Sequence, residues 1–310
     1  MIYTVTLNPS LDYLVHTDAL RPGALCRTQG EALHPGGKGV NVSLVCAALG
    51  LPTRALGYIA GRTGALFASL LAETGVEYDL CRLDSGMTRI NVKVSARQEQ
   101  TELNGAGPAI PAAALDRLLD KLDALGAGDW LVLSGSIPAG VPVDTYARLL
   151  ARAHERGART LVDTAGDALK NALPCAPDLI KPNREELAAL VGGTPTSPAG
   201  AAACARTLRA AGARQILLSL GGEGAVFVPE HGAALYLPAP TGGAVQPVGA
   251  GDAMAAGWLY AQVHELPVTE ALRFAVAAGS AAAFSAWLPD RPAIEAVLAR
   301  TGVPQPLEQG

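Results

Sequence analysis

The sequence predicts an α/β fold: a mostly parallel central sheet with helices on both faces, plus a small additional sheet. Three observations carry this. From residue 111 onward, short apolar runs alternate regularly with helical patterns, as βαβ units and hence a parallel sheet require. Runs such as 130–134 and 215–219 have wholly apolar interiors, as strands buried on both faces do. The stretches at 88–94 and 101–104 instead place polar residues at alternate positions, which suits a half-exposed sheet standing apart from the helix-covered one.

In chain order, residues 2–7 alternate apolar residues with Thr and stop at Asn8-Pro9, a strand ended by a turn. Residues 11–16 and 26–30 are further short extended stretches. A helix opens at Gly36-Gly37-Lys38-Gly39 and ends at Gly50. Strand 54–58, helix 66–73 and strand 77–83 come next. After the polar-alternating stretches, helix 112–125 leads to strand 130–134, and helix 143–156 to strand 160–163. A short helix and a strand ending at Ile180 precede helices 184–191 and 199–211, then strand 215–219. Segments 224–228 and 234–237 read as a hairpin, and helices at 253–263, 268–286 and 293–300 complete the chain. The first of these is apolar nearly all round, so it should be buried.

Composition narrows the function. Of 310 residues 49% are hydrophobic and 17% charged, a globular composition. A net charge of −4 without a basic block argues against a nucleic-acid partner, while a small anionic substrate can still be held by local Lys and Arg. The start Met1-Ile2-Tyr3-Thr4-Val5 lacks a basic leader, and the Ala-rich run 275–286 is too short to span a bilayer, so no membrane partner is expected. Five scattered cysteines without metal spacing read as reduced thiols in a cytoplasmic protein.

The motif with most chemical content is Pro247-Val248-Gly249-Ala250-Gly251-Asp252. Small residues at a helix start let an anion approach unpaired N–H groups and the positive end of the helix dipole. A carboxylate there can take a proton from a hydroxyl attacking phosphorus; as a purely structural alternative, Asp252 caps the helix. Gly37, Lys38 and Asn41 offer close backbone approach and hydrogen-bond donors, although Gly39 after Lys38 departs from a Walker loop. Arg89, Asn91 and Lys93 share one strand face by the two-residue period, two cations suited to a phosphate monoester or simply to solvent. Ser134-Gly135-Ser136 ends a buried strand, where its hydroxyls suit a ligand loop or an ordinary turn. Asn183 and Glu186 begin a helix after Lys181, and they suit either a hydrated Mg²⁺ or a capping box. Ser219-Leu220-Gly221-Gly222-Glu223-Gly224 is glycine-dense enough for a nucleotide to lie on its backbone, or it forms a hairpin turn.

Pro35-Gly36-Gly37-Lys38-Gly39-Val40-Asn41 and the segment 247–257 resemble the N- and C-terminal motifs of the ribokinase-like (PfkB) carbohydrate kinases. Segments 4–12, 88–93 and 101–108 are similar to its 1-phosphofructokinase branch, with tagatose-6-phosphate kinase and the minor 6-phosphofructokinase as close relatives. The resemblance implies a single domain over 1–310, with a β-lid inserted from roughly 12–34 and 86–108, and a homodimer through that lid. It implies ATP and Mg²⁺, with fructose 1-phosphate converted to fructose 1,6-bisphosphate. Tagatose 6-phosphate or fructose 6-phosphate remain alternatives, as does a catalytically silent sugar-phosphate sensor. By the same resemblance Asp252 is the base, and Gly249, Ala250 and Gly251 form the anion hole. Asp12, Gly37, Lys38 and Asn41 would hold sugar hydroxyls, and Arg89, helped by Arg27, Lys38 and Ser136, the sugar phosphate. Lys181, Asn183 and Glu186 would face the ATP phosphates and Mg²⁺, and Ser219, Gly221, Gly222 and Gly224 the nucleotide.

Overall fold

The computed structural model describes residues 1–96, 99–243, 245 and 248–307. Its larger sheet has seven parallel strands in the order β5 (Glu77–Leu83), β4 (Thr53–Ala60), β1 (Ile2–Thr6), β8 (Trp130–Ser134), β9 (Arg159–Asp163), β10 (Leu179–Ile180) and β11 (Gln215–Ser219). Antiparallel β12 (Ala225–Val228), β13 (Leu235–Leu237) and β14 (Gln305–Pro306) extend one edge, and β12 with β13 is the expected hairpin. Alternate side chains of the continuous apolar strands feed two cores. Leu131 and Leu133 of β8 pack with Leu118 of α3 (Ala112–Lys121) and Leu149 of α4 (Thr145–Glu155). Trp130 and Val132 pack with Val45 of α1 (Lys38–Ala48) and Trp258 of α8 (Ala250–Val263). Helices therefore cover both faces, as parallel strands require.

Helix α8 is buried on nearly every side, as its composition predicted, and it packs closely against α9 (Val268–Ala283). A methyl group on Gly257 would lie 2.6 Å from the Phe274 carbonyl oxygen, so small residues set that spacing. Helix α9 stops at Ala283 rather than running to residue 286, and Ser285 Oγ turns back to donate to the Ala281 carbonyl. Helix α2 (Gly61–Ala72) begins earlier than the pattern suggested.

The second sheet has the order β3 (Gly30–Gly36), β2 (Ser10–Thr17), β6 (Arg89–Ala96) and β7 (Glu99–Asn104), with β2 and β6 parallel. Residues 26–29 are not the extended stretch expected; the strand starts at Gly30 and continues through Gly36. The reason is pairing with β2. Ser10 to His16 pair without interruption from Gly36 back to Gly30, and only a glycine at 36 leaves room for the Asp12 carboxyl group, whose Cγ would stand 2.5 Å from an added Cβ. No described helix is long and apolar enough to cross a membrane, and all five cysteines are free.

Candidate active site

The carboxyl ends of the parallel strands bring their chemistry to one side of the large sheet, where ligands bind in such folds. Asp163 is the last residue of β9, Lys181 follows β10 directly, and Ser219 ends β11. Asp163 is 1% exposed and carries two cations, with Lys181 Nζ at 3.1 Å from one oxygen and Lys38 Nζ at 3.3 Å from the other. Burial alone would push this carboxyl group's pKa up; the two ammonium groups outweigh that and hold it below its ordinary value. Asp163 in turn holds Lys38 firmly protonated.

Helix α8 opens beside this cluster. Gly249 takes a left-handed φ of 81° at its N-cap, and among the described residues no side chain caps the first turn, so its N–H groups are available to an anion. The structural alternative for Asp252, a cap on its own helix, is therefore not what this geometry shows. A methyl group on Gly251 would come 3.0 Å from Lys181 Nζ, which places a cation directly over this turn. Asp252 lies in the turn, 5% exposed, and its Oδ2 accepts from Asn41 Nδ2 of α1 at 2.8 Å. Burial first, and then the charge of Asp163, push the Asp252 carboxyl group up to about 6 against the opposing pull of Asn41, Lys38 and Lys181. A carboxylate so tuned can exchange a proton close to neutral pH.

The second sheet supplies the facing wall. Asp12 pairs in register with Asn91 on one side and His34 on the other. Its carboxylate accepts from Ser10 Oγ at 2.6 Å, Asn91 Nδ2 at 3.1 Å and Lys93 Nζ at 2.7 Å. The shared strand face of Arg89, Asn91 and Lys93 is real, since all three line the cavity, but the two-cation grip is not: Lys93 is committed to Asp12. Arg89 is anchored by Nε to the Asn8 carbonyl at 3.1 Å.

At α6 (Arg184–Val191) both bonds of a capping box are present. Glu186 N–H donates to Asn183 Oδ1 at 2.8 Å, and Asn183 N–H donates to Glu186 Oε2 at 2.9 Å. The other carboxylate oxygen, Oε1, lies 3.9 Å from Lys38 Nζ. The capping box thus leaves one oxygen on the cavity side, so capping does not preclude a water-mediated metal contact.

One cavity of about 530 Å³ gathers most of the expected site: Asp12, Gly37, Lys38, Asn41 and Arg89 from the sugar set, and Lys181, Asn183, Glu186, Ser219 and Gly221 from the nucleotide set. Gly249, Ala250, Gly251 and Asp252 line it too, whereas Pro247, which opens the same motif, lies outside the described residues. Gly222 and Gly224 border an adjoining recess of about 430 Å³ with Met254, Val276 and Phe284. Ser136 borders a smaller one of about 160 Å³ with Arg89 and Lys38. Arg27 lies on an exposed loop and lines none of the three. Sequence reasoning missed Asp163 as a site residue, although an acid closing an apolar strand was the available signal. It also missed Met254, Val276 and Phe284, whose helical apolar spacing reads only as core.

The comparisons with known proteins agree with this geometry. The pfkB family carbohydrate kinase description matches residues 6–286. A 1-phosphofructokinase of Bacillus subtilis is 39% identical over 285 residues, covering 92% of this chain and 93% of its own. A D-tagatose-1-phosphate kinase of Bacillus licheniformis is 37% identical, covering 94% and 95%. The crystal structure of phosphofructokinase-2 from Escherichia coli in complex with fructose-6-phosphate superposes with a TM-score of 0.89 at 32% identity, covering 96% of this chain and 98% of that one. The chain belongs to the pfkB family of carbohydrate kinases and is an ATP-dependent kinase.

Proposed function

We propose that the protein transfers the γ-phosphoryl group of ATP to fructose 1-phosphate, giving fructose 1,6-bisphosphate, with Asp252 as general base. The observation that carries this reading is a buried carboxylate, raised to about 6, in the uncapped first turn of α8 and facing a cavity walled by the lid's polar row. Asp252 takes the proton of the attacking primary hydroxyl, and the Asn41 amide keeps its carboxylate oriented. The backbone N–H groups of Gly249, Ala250 and Gly251 meet the charge developing on the phosphoryl oxygens, with Lys181 over the same turn.

Asp12, Gly37, Lys38 and Asn41 hold sugar hydroxyls, and Asp12 is held rigid for this by Ser10, Asn91 and Lys93. The sugar phosphate sits against Arg89, Lys38 and Ser136, which border one recess; Arg27 stands apart from it. Ser219, Gly221, Gly222 and Gly224 support the nucleotide, and the recess with Met254, Val276 and Phe284 suits a flat apolar base. Asn183 and Glu186 would hold the Mg²⁺ of MgATP through water, where the ion neutralises phosphate charge. Closure of the lid excludes water, which would compete with the sugar as acceptor.

Two curated relatives named for ketose 1-phosphate kinases support the 1-phosphate assignment. The Escherichia coli neighbour, solved with fructose-6-phosphate, favours that sugar as the second reading, because the ketofuranose ring carries a CH₂O arm at each end. Comparing kcat/KM for fructose 1-phosphate, fructose 6-phosphate and tagatose 6-phosphate tests the choice; a preference for either 6-phosphate overturns it. The lid's other face exposes Leu103 at 62%, with Ile90 beside it, which supports a homodimer through the lid; a monomeric mass in solution contradicts that. The free cysteines fit a cytoplasmic enzyme.

A further inference from the structure

Trp287 lies in the segment joining α9 to α10 (Arg291–Leu298), on the body of the protein, yet its ring partner belongs to the lid. Its indole stacks on His34 of β3 with ring centres 4.3 Å apart and planes 16° apart. Lys93 of β6 brings Nζ to 5.8 Å from the same indole. These two lid residues flank Asp12: His34 is its register partner, and Lys93 Nζ donates to its Oδ2 at 2.7 Å. The next residue, Leu288, reaches the other half of the site. A methyl group on Gly249 would stand 2.6 Å from Leu288 Cδ2, so this side chain is seated against the N-cap of α8. One short segment therefore touches both the lid's carboxylate cluster and the turn that carries Asp252.

A packing role does not account for Trp287. The chain's other two tryptophans, Trp130 and Trp258, are 3% and 1% exposed and belong to the large hydrophobic core, whereas Trp287 is only half-buried and belongs to none of the core clusters. Nor does it line the cavity, so it is not positioned to touch substrate.

We propose that Trp287 is a positioning residue for the sugar site: stacked on His34 and packed under Lys93, it clasps the lid to the body and so sets Asp12 over Asp252. This rests on the assignment of Asp12 to the sugar. A stacked aromatic pair of this kind contributes enough to move a closing equilibrium roughly three- to tenfold. The cost of losing it falls on the ligand held by the lid, not on the nucleotide held by the body.

The test uses Trp287→Ala, Trp287→Phe, His34→Ala and His34→Phe. Trp287→Ala and His34→Ala should each raise KM for fructose 1-phosphate roughly three- to tenfold, with KM for MgATP unchanged. The Phe variants, which keep a flat ring at either position, should recover most of the loss. Because Trp130 and Trp258 are buried, acrylamide quenching of tryptophan emission reports mainly on Trp287. In the ligand-free protein, His34→Ala should expose the indole and raise the quenching constant, and fructose 1-phosphate should lower that constant in wild type. An unchanged sugar KM in both Ala variants overturns the proposal. So does an equal rise in both KM values, or a failure of the Phe variants to rescue. If the wild type turns over no ketohexose phosphate, it is the substrate reading that falls. The clasp is then judged by quenching alone, and a constant identical in wild type and His34→Ala overturns it.

Discussion

Asp163→Asn probes the electrostatics of the site, because this one buried carboxylate raises the pKa of Asp252 and holds Lys38 protonated. In the wild type Asp252 stands at about 6 against an ordinary 3.8, raised by burial first and by the Asp163 charge second. The substitution removes that second cause. It also frees Lys181 and Lys38, which sit 3.1 and 3.3 Å from Asp163, to act more fully on Asp252, and both of them lower its pKa. The two changes have the same sign. A neighbouring like charge typically moves a carboxyl group on the order of one pKa unit. A base works only when deprotonated, so wild-type activity should be present above about 6 and lost as pH falls through it. In Asp163→Asn the acidic limb of kcat/KM should move about one unit lower. The peak rate should also drop, because Lys181 and Lys38 lose the group that aims them. Breaking a buried ion pair costs about 3–5 kcal/mol of stability. Coupled ADP-release assays should therefore run well below the melting temperature, with a melting curve beside them. An acidic limb that stays near 6 or climbs would refute the coupling between the two carboxylates.

Two further substitutions separate the sugar side from the nucleotide side. Arg89→Ala should raise KM for fructose 1-phosphate very roughly ten- to a hundredfold, the usual worth of a charge-assisted contact to phosphate, and leave KM for ATP alone. A loss confined to ATP would move Arg89 to the nucleotide side. Glu186→Gln keeps an acceptor for the Asn183 N–H, so the melting temperature should hardly change, while the Mg²⁺ needed for half-maximal rate should rise. An unchanged Mg²⁺ requirement, with the melting temperature equally unchanged, would leave Glu186 as a cap only.

Much of the fold could be read from local pattern. Near-continuous apolar runs such as Trp130–Ser134 can be satisfied only between two helical layers, and polar alternation in Arg89–Ala96 only by a sheet with one wet face. The loop 26–29 was misread because nothing local distinguishes an extended loop from a strand. Pairing with β2 decides it: Gly30–Gly36 pairs with Ser10–His16, and residues 26–29 lie beyond that register. The site residues were legible as types at strand ends, but their partnerships were not. Lys38 meets Asp163 across 125 positions, Lys93 meets Asp12 across 81, and Asn41 meets Asp252 across 211. Topology makes those pairs, and they change the chemistry: by strand period Lys93 suits a phosphate or simply solvent, and it is instead the counter-ion of Asp12. Asn183 and Glu186 show that two readings can coincide, since the capping box forms and still leaves one carboxylate oxygen towards the cavity.

Turnover of Asp252→Asn with MgATP and fructose 1-phosphate, measured beside ATP affinity, tests the general-base role most directly. Asparagine preserves the shape of the side chain and removes the negative charge that accepts the proton. The expected result is a fall in kcat on the order of a hundred- to ten-thousandfold, with ATP binding roughly kept. Turnover near that of the wild type would contradict the assignment and leave Asp252 as a buried structural carboxylate.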